Sequence, residues 1–286
     1  MPTTNSQRLL FTTILFIFAA LLSACSMTPE KVFARYAQAT NPSTIEKPKS
    51  ISIKMTVTHD SSVSPLDRPA DTKPTVRMHA MNIYCEFPDK IYLDSDAVLV
   101  QSQGAFANER KFADIKVVQA FDGQTGWEIT SSPQSTVPAR TRNLPFFEVD
   151  KLKNMVDGAF AVNQLEKINT SKYIGEQEVQ FNEPTNGNVV KKKAHVVEAM
   201  LKGGKKQVLY FDMNDGFLIK TETIDSLSNE KVTAVMTNYK QFGKVKLPSR
   251  IQMTSSSSAE STIFNLEEMS FDVPAPSEAF VKPTIY

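Results

Sequence analysis

The sequence predicts a mainly β (α+β) protein, an antiparallel sheet accompanied by two helices. Three observations predict it. Stretches such as "ISIKMTVTH" (residues 51–59) alternate apolar and polar residues with a period of two, the mark of a strand with one apolar face. From residue 194 onward six such stretches follow one another through connections of about two to seven residues, too short to hold a helix. Only two segments, one after Thr28 and one within Asn143 to Ala161, space their apolar residues for a helix.

The chain begins with an address. Arg8 is the only charge before residue 25, and the apolar run Leu9 to Leu22 after it is short for a membrane span and fits a secretory signal. The run ends in "LSAC", Leu22 to Cys25, which resembles the bacterial lipobox, where the cysteine receives a diacylglycerol and becomes the first mature residue. The alternative is an ordinary signal peptide with an incidental cysteine. The lipobox reading divides the chain into a signal peptide (1–24), a lipid anchor (25–27) carried by Cys25, and one domain (28–286). Ser26 after the cysteine implies sorting to the outer membrane, lipid-anchored and facing the periplasm.

Charge excludes other partners. The chain carries 32 Lys and Arg against 31 Asp and Glu, and Arg8 leaves with the signal, so the mature chain is neutral. Such a balance gives no footprint for nucleic acid. The length suits one large β domain or two small ones. With Cys25 taken by lipid, Cys85 is left without an internal disulfide and reads as a small buried hydrophobe.

The elements follow in order. Thr28 caps the first helix, Pro29 suits its first position, and Val32, Phe33, Tyr36 and Ala37 form its apolar stripe. Residues 40–50 are a polar connection. In the first strand Ile51, Ile53, Met55 and Val57 alternate with Ser52, Lys54, Thr56 and Thr58, and the Pro- and Ser-rich residues 61–74 form a hairpin loop. Further strands are expected at about 75–86, 90–95, 97–103, 115–121 and 126–131. The segment 143–161 interrupts the sheet with a helix whose stripe is Phe146, Val149, Leu152, Val156 and Phe160, leaving Glu148, Lys151 and Lys153 in water. The six-strand meander then runs to the "STIFNLEEM" segment, residues 261–269.

"AFDGQTGWEI" (120–129) and "YFDMNDGFLI" (210–219) share the spacing Phe-Asp-x-x-x-Gly-aromatic. A calcium loop needs several oxygen ligands at alternating positions and a closing carboxylate, which neither copy offers. The pattern instead suits one tight turn used twice between strands. His59, His79 and His195 each stand alone in a strand, and there is no nucleophile elbow or phosphate-cradling loop. These features point away from an enzyme and imply no cofactor or metal.

"DGQTGW", "YFDMNDGFLIKTET", "YKQFGKVKLPSRI" and "SFDVPAPSEAFVKP", in that order and with the two helices, resemble the bacterial outer-membrane lipoprotein-sorting (LolA/LolB-like) superfamily. The resemblance implies a single curved antiparallel sheet, an unclosed β-barrel, with an N-terminal helix and a mid-chain lid helix over its concave side. It also implies a hydrophobic cavity that receives acyl chains. The protein is expected to be a monomer, and palmitate is expected among its lipid associations. Ile51, Ile53, Met55, Val57, Val76, Met78 and Trp127 would then line the concave face, and Phe146, Phe147, Val149, Leu152, Met155 and Val156 would belong to the covering helix. Methionine-rich strands under two helices also suit a filled core. Two function classes stay open: a binder of lipid or of a lipoprotein's acyl chain, with a part in transport, and an interaction or stress-sensing module that docks an envelope protein on its sheet face.

Lipidation should control location, because acyl chains contributing about 0.8 kcal/mol per buried methylene anchor a chain stably once two or more are present. Cys25→Ser should leave an unprocessed precursor or release a soluble form. Recovery of a mature-sized, acylated mutant from the membrane fraction would contradict it.

Overall fold

The computed structural model describes residues 27–40, 48–60, 76–102, 110–132, 136, 138–159, 165, 168–182, 189–202, 204–224, 230–257, 261–282 and 284. Cys25 and the 61–74 loop lie outside the described residues. Helix α1 (Pro29–Thr40) is followed by strands β1 (Ser50–Asp60), β2 (Val76–Glu86), β3 (Lys90–Ser102), β4 (Arg110–Phe121), β5 (Gly126–Ser131) and β6 (Arg140–Leu144). Helix α2 (Phe146–Ala159) leads to β7 (Ile168–Asn182), β8 (Val189–Leu201), β9 (Lys206–Asp212), β10 (Leu218–Ile224), β11 (Lys231–Phe242), β12 (Val245–Ser255) and β13 (Ser261–Phe271). Every described element thus lies after Cys25, so a form beginning at Ser26 retains all of them.

All thirteen strands form one antiparallel, unclosed sheet in the order β6-β5-β4-β3-β2-β1-β13-β12-β11-β10-β9-β8-β7. It consists of two meanders, β1–β6 and β7–β13, joined where β1 pairs with β13. The mainly β class, the single sheet and the two helices match the expectation. The expected strands 90–95 and 97–103 are one strand, β3, and β6 and β7 were not expected.

Alternation sorts the side chains onto two faces. On the inner face Leu93, Ile83, Ile53 and Met269 stand in register across β3, β2, β1 and β13, and all are buried. The same face continues as Val57, Phe264, Ile251 and Met236 across β1, β13, β12 and β11. It ends as Ala234, Thr221, Leu209 and Val197 across β11, β10, β9 and β8.

Helix α1 roofs the second half of this face. The Lys31 N–H donates to Thr28 Oγ1 (3.4 Å), so Thr28 is the cap. Val32 and Tyr36 are buried, Phe33 is half-buried, and Phe211 meets the rings of Phe33 and Tyr36 edge-on at 5.8 and 5.5 Å. Ala37, expected on this stripe, is exposed. Arg35 extends from α1 to donate to the Asn214 carbonyl (2.7 Å) in the β9–β10 turn.

The outer face of the first meander has its own cover. Val273, Ala275, Ala279 and Phe280, beyond β13, pack on Tyr84, Tyr92, Ala120 and Trp127. The Tyr84 and Ser50 hydroxyls both donate to the Val273 carbonyl, at 3.1 and 2.6 Å.

Gly126 sets how closely α2 can approach. A Cβ there would lie 2.7 Å from Val149 Cγ2 and 3.1 Å from Leu144 Cβ. Gly126→Ala should force α2 outward and destabilise the protein by about 1–3 kcal/mol in chemical denaturation. A variant as stable as the wild type would show that α2 is free to shift.

Candidate functional site

Besides a smaller one of Phe121, Leu144 and Val149 at its β4–β6 end, the inner face holds two large buried apolar clusters. One gathers Ile51, Ile53, Met55, Val57, Met81, Ile83, Cys85 and Leu93 with residues of β12 and β13, and Leu152 of α2 inserts into it. The other gathers Val197, Leu209, Phe211, Leu218, Ala234 and Met236 under α1. Between them the face runs through the cross-strand partners Phe264 and Ile251, which are apolar but only half-buried.

Polar contacts hold α2 at its first turn. Arg142 of β6 donates through Nε to Glu128 Oε1 (2.8 Å) and through Nη2 to Glu148 Oε2 (2.7 Å), while Gln119 Nε2 donates to Glu128 Oε2 (2.7 Å). Burial alone would raise the Glu128 carboxyl. The Arg142 and Gln119 hydrogen bonds outweigh it and hold the group below the usual carboxylate range, while Glu148 and then Glu128 push the Arg142 guanidinium up. Glu148 is therefore tied to the sheet instead of standing free in water. Val149 packs on Phe121 and Leu144, and Lys153 lies 4.4 Å over the Phe121 ring.

The structure divides the predicted lining set. Ile51, Ile53, Met55 and Val57 share the inner face, and Leu152 and Val149 meet the sheet from α2. Trp127 does not join them. It is 1% exposed on the outer face, because its register with Ala120 places it in phase with Tyr92 and Tyr84 under the C-terminal segment. Phe146 does not cover the sheet either. It is 79% exposed and Phe147 is 58% exposed at the start of α2. Register sets Val76 and Met78 opposite Asp60 and Thr58, the phase of β1 that alternates with Ile51–Val57. Their side chains, and those of Met155 and Val156, lie outside the described residues.

The expectation that each histidine stands alone is corrected at two positions. The β1–β2 register stacks His59 and His79 with ring centroids 5.3 Å apart at 25°. Thr262 Oγ1 lies 3.2 Å from His59 Nδ1. Burial, then the neighbouring His59, pulls the His79 imidazole below its ordinary range. Sequence reasoning missed this pair because the length of the intervening loop hides the register. His195 is a satisfied strand histidine, buried with Nδ1 3.1 Å from the Tyr173 hydroxyl.

The repeated motif is a turn used twice, between β4 and β5 and between β9 and β10. Asp122 Oδ1 accepts the N–H groups of Gln124 (2.8 Å) and Thr125 (2.7 Å), and Asp212 Oδ1 accepts the N–H of Asn214 (2.8 Å). Asp212 is the more deeply buried, with a side chain 1% exposed, and its other oxygen accepts from Lys192 Nζ at 2.5 Å. A pocket of about 220 Å³ opens beside this second turn, lined among others by Lys192, Asp215, Phe217, Thr237 and Tyr239. Met236, the cross-strand partner of Ile251, also lines it, and it is smaller than the roughly 300–1,000 Å³ of ordinary ligand pockets.

No family model matches the chain, and no curated protein does. Solved structures of similar fold include a DUF1329 family protein from Desulfovibrio piger, at TM-score 0.46 and 12% identity over 87% of this chain and 94% of that one. A LolA superfamily protein from Nitrosomonas europaea matches at TM-score 0.46 and 12% identity over 90% of this chain and 99% of that one. A domain from Vibrio parahaemolyticus assigned to outer membrane lipoprotein sorting matches at TM-score 0.42 and 14% identity, over 87% and 92%.

The second turn yields a pH test. Burial raises the Asp212 carboxyl, but the hydrogen bonds from Lys192 and the Asn214 N–H outweigh it and leave the group below its ordinary value. A depressed carboxylate contributes stability above its unfolded pKa and loses it as pH falls through the folded one. Asp212→Asn should cost about 2 kcal/mol at pH 7, and the difference from wild type should shrink below about pH 4. A pH-independent difference in denaturation midpoints would overturn the assignment.

Proposed function

We propose that this chain is a non-enzymatic envelope lipoprotein, anchored to the outer membrane through Cys25 and facing the periplasm. It holds a hydrophobic ligand, a lipid or the acyl chain of a lipoprotein, against the inner face of its sheet. One observation carries this reading. Two apolar clusters, each met by one helix, are joined on the same face by Phe264 and Ile251, which are half-buried between them. An apolar strip bounded by two helices fits an extended acyl chain, whose burial contributes about 25 cal/mol per Å². Met55, Met81 and Met236 along it are flexible and polarisable, suited to a ligand whose chain varies. Helix α2 is tied at its first turn through Glu148, whereas Leu152 meets the strip by apolar packing alone, so ligand exchange proceeds by α2 pivoting about that turn.

A second reading rests on Phe146 and Phe147, exposed side by side at the start of α2. Adjacent exposed aromatics suit docking of an envelope protein, and a sensing module would use the same helix.

Leu152→Glu separates the two readings. It places an unpaired charge at a dry contact, a cost on the order of several kcal/mol. In the binding reading lipid that co-purifies with the wild type is lost while circular dichroism keeps its β signature. Global unfolding of the variant, with native mass spectrometry finding no lipid on the wild type, would overturn the binding reading.

A further inference from the structure

The apolar face of β1 and β2 ends in a polar group of its own. Beyond Val57 and Met81 on the same face stand His59 and His79, both half-buried, with Thr262 of β13 beside His59. We infer that His59, His79 and Thr262 form an oxyanion subsite at the end of the apolar strip, which receives the carboxylate, phosphate or sulfonate group of an amphiphile whose chain lies along the inner face. The headgroup part of this inference rests on the lipid-binding reading above.

Geometry selects the ligand class. The rings are stacked near-parallel at 5.3 Å, so their edges lie side by side. A metal ion would need two ring nitrogens converging to about 2.1 Å from one point. An oxyanion instead spreads two or three acceptor oxygens over a width that two parallel N–H donors can serve. Among the described residues, neither ring nitrogen of His79 has a hydrogen-bond partner, while His59 Nδ1 is held by Thr262. One ring is thus oriented and the other is left with unused donor capacity at a half-buried position.

Charge makes the subsite responsive to pH. Burial, then charge repulsion from the stacked His59 ring, holds the His79 imidazole below its ordinary range. An anion between them relieves that repulsion, so anion and protons bind cooperatively, and anion affinity rises as pH falls. The other charged residues next to the pair in register are Asp60 on β1 and Arg77 on β2.

The test uses the soluble form beginning at Ser26, with dodecanesulfonate, which stays anionic throughout, dodecanol as its neutral counterpart, and inorganic sulfate, all by calorimetry below micellar concentrations. Dodecanesulfonate should bind about tenfold more tightly at pH 6 than at pH 8, one pKa unit of coupling, and dodecanol should show no pH dependence. His59→Gln/His79→Gln should abolish the pH dependence of dodecanesulfonate binding while circular dichroism keeps the β signature of a folded protein. Sulfate binding that needs both histidines, without binding of either amphiphile, supports the oxyanion site with a free anion as its source and sinks the lipid reading alone. Amphiphile binding that is indifferent to pH and to the double variant overturns the subsite and leaves the lipid reading standing. Histidine-dependent binding of zinc with no preference for sulfonate over alcohol overturns it in favour of a metal site. Absence of binding by all three anion and alcohol probes overturns both.

Discussion

The chain that joins β6 to β7 has to pass from one edge of a thirteen-stranded sheet to the other. Laid flat, twelve strand spacings would separate those edges by about 58 Å. The fourteen residues of α2 span about 21 Å as a helix, and the nine other residues between Leu144 and Ile168 add at most about 30 Å. The connection is too short for a flat sheet, so the sheet must curl until its edges come within reach. The right-handed twist of antiparallel strands bends it in the same sense. A concave face, and a helix carried across the open side, both follow from this one length.

Curling also decides how the inner face is satisfied. A single sheet exposes an apolar face that must meet something, and two helices among the described residues meet it. Helix α1 supplies aromatic packing through Phe33 and Tyr36 on Phe211, which fixes it firmly over the second meander. Among its described residues, helix α2 packs through Val149 and Leu152 and is also oriented by the Glu148–Arg142–Glu128 chain at its beginning, partly exposed ion pairs that orient more than they stabilise. The half-buried strip through Phe264 and Ile251 lies between the two clusters that these helices meet.

How far the sequence reveals this depends on which signal each element leaves. The strands of the second meander after β7 are legible because short turns bound apolar runs, although both faces carry buried residues, Val197, Ala199 and Leu209 on one and Ala194, Val196 and Tyr210 on the other. The edge strands β6 and β7 leave no such signal, since "RTRNL" and "INTSKYIGEQEVQFN" are largely wet on both sides. Trp127 marks a different limit. Period two says which residues share a face but not which face is inner, and here the outer one is covered too, by Ala279 and Phe280. Leu152 and Ile51–Val57 were readable because they sit on the strongest stripes. Phe146 was misassigned because the α2 stripe begins at Val149, where Gly126 lets the helix approach.

An unclosed barrel raises the question of why its two edges do not pair and complete the ring. Edge strands invite such pairing unless charge, bulges or shortness discourage it. Strand β6 is five residues long and presents Arg140 and Arg142. Strand β7 presents Lys172, Glu176 and Glu178 and is interrupted by register shifts near Ile168 and Tyr173, with Gly175 at φ 126°. A residue with a side chain would be strained at that angle, so the glycine permits the bulge and the bulge breaks the run of donors and acceptors a partner strand needs. The same features that keep the edges apart preserve the gap that α2 crosses. Were the edges to pair, the inner face would become a closed core and α2 would have nothing to cover; the polarity of β6 and β7 is thus what keeps the sheet unclosed.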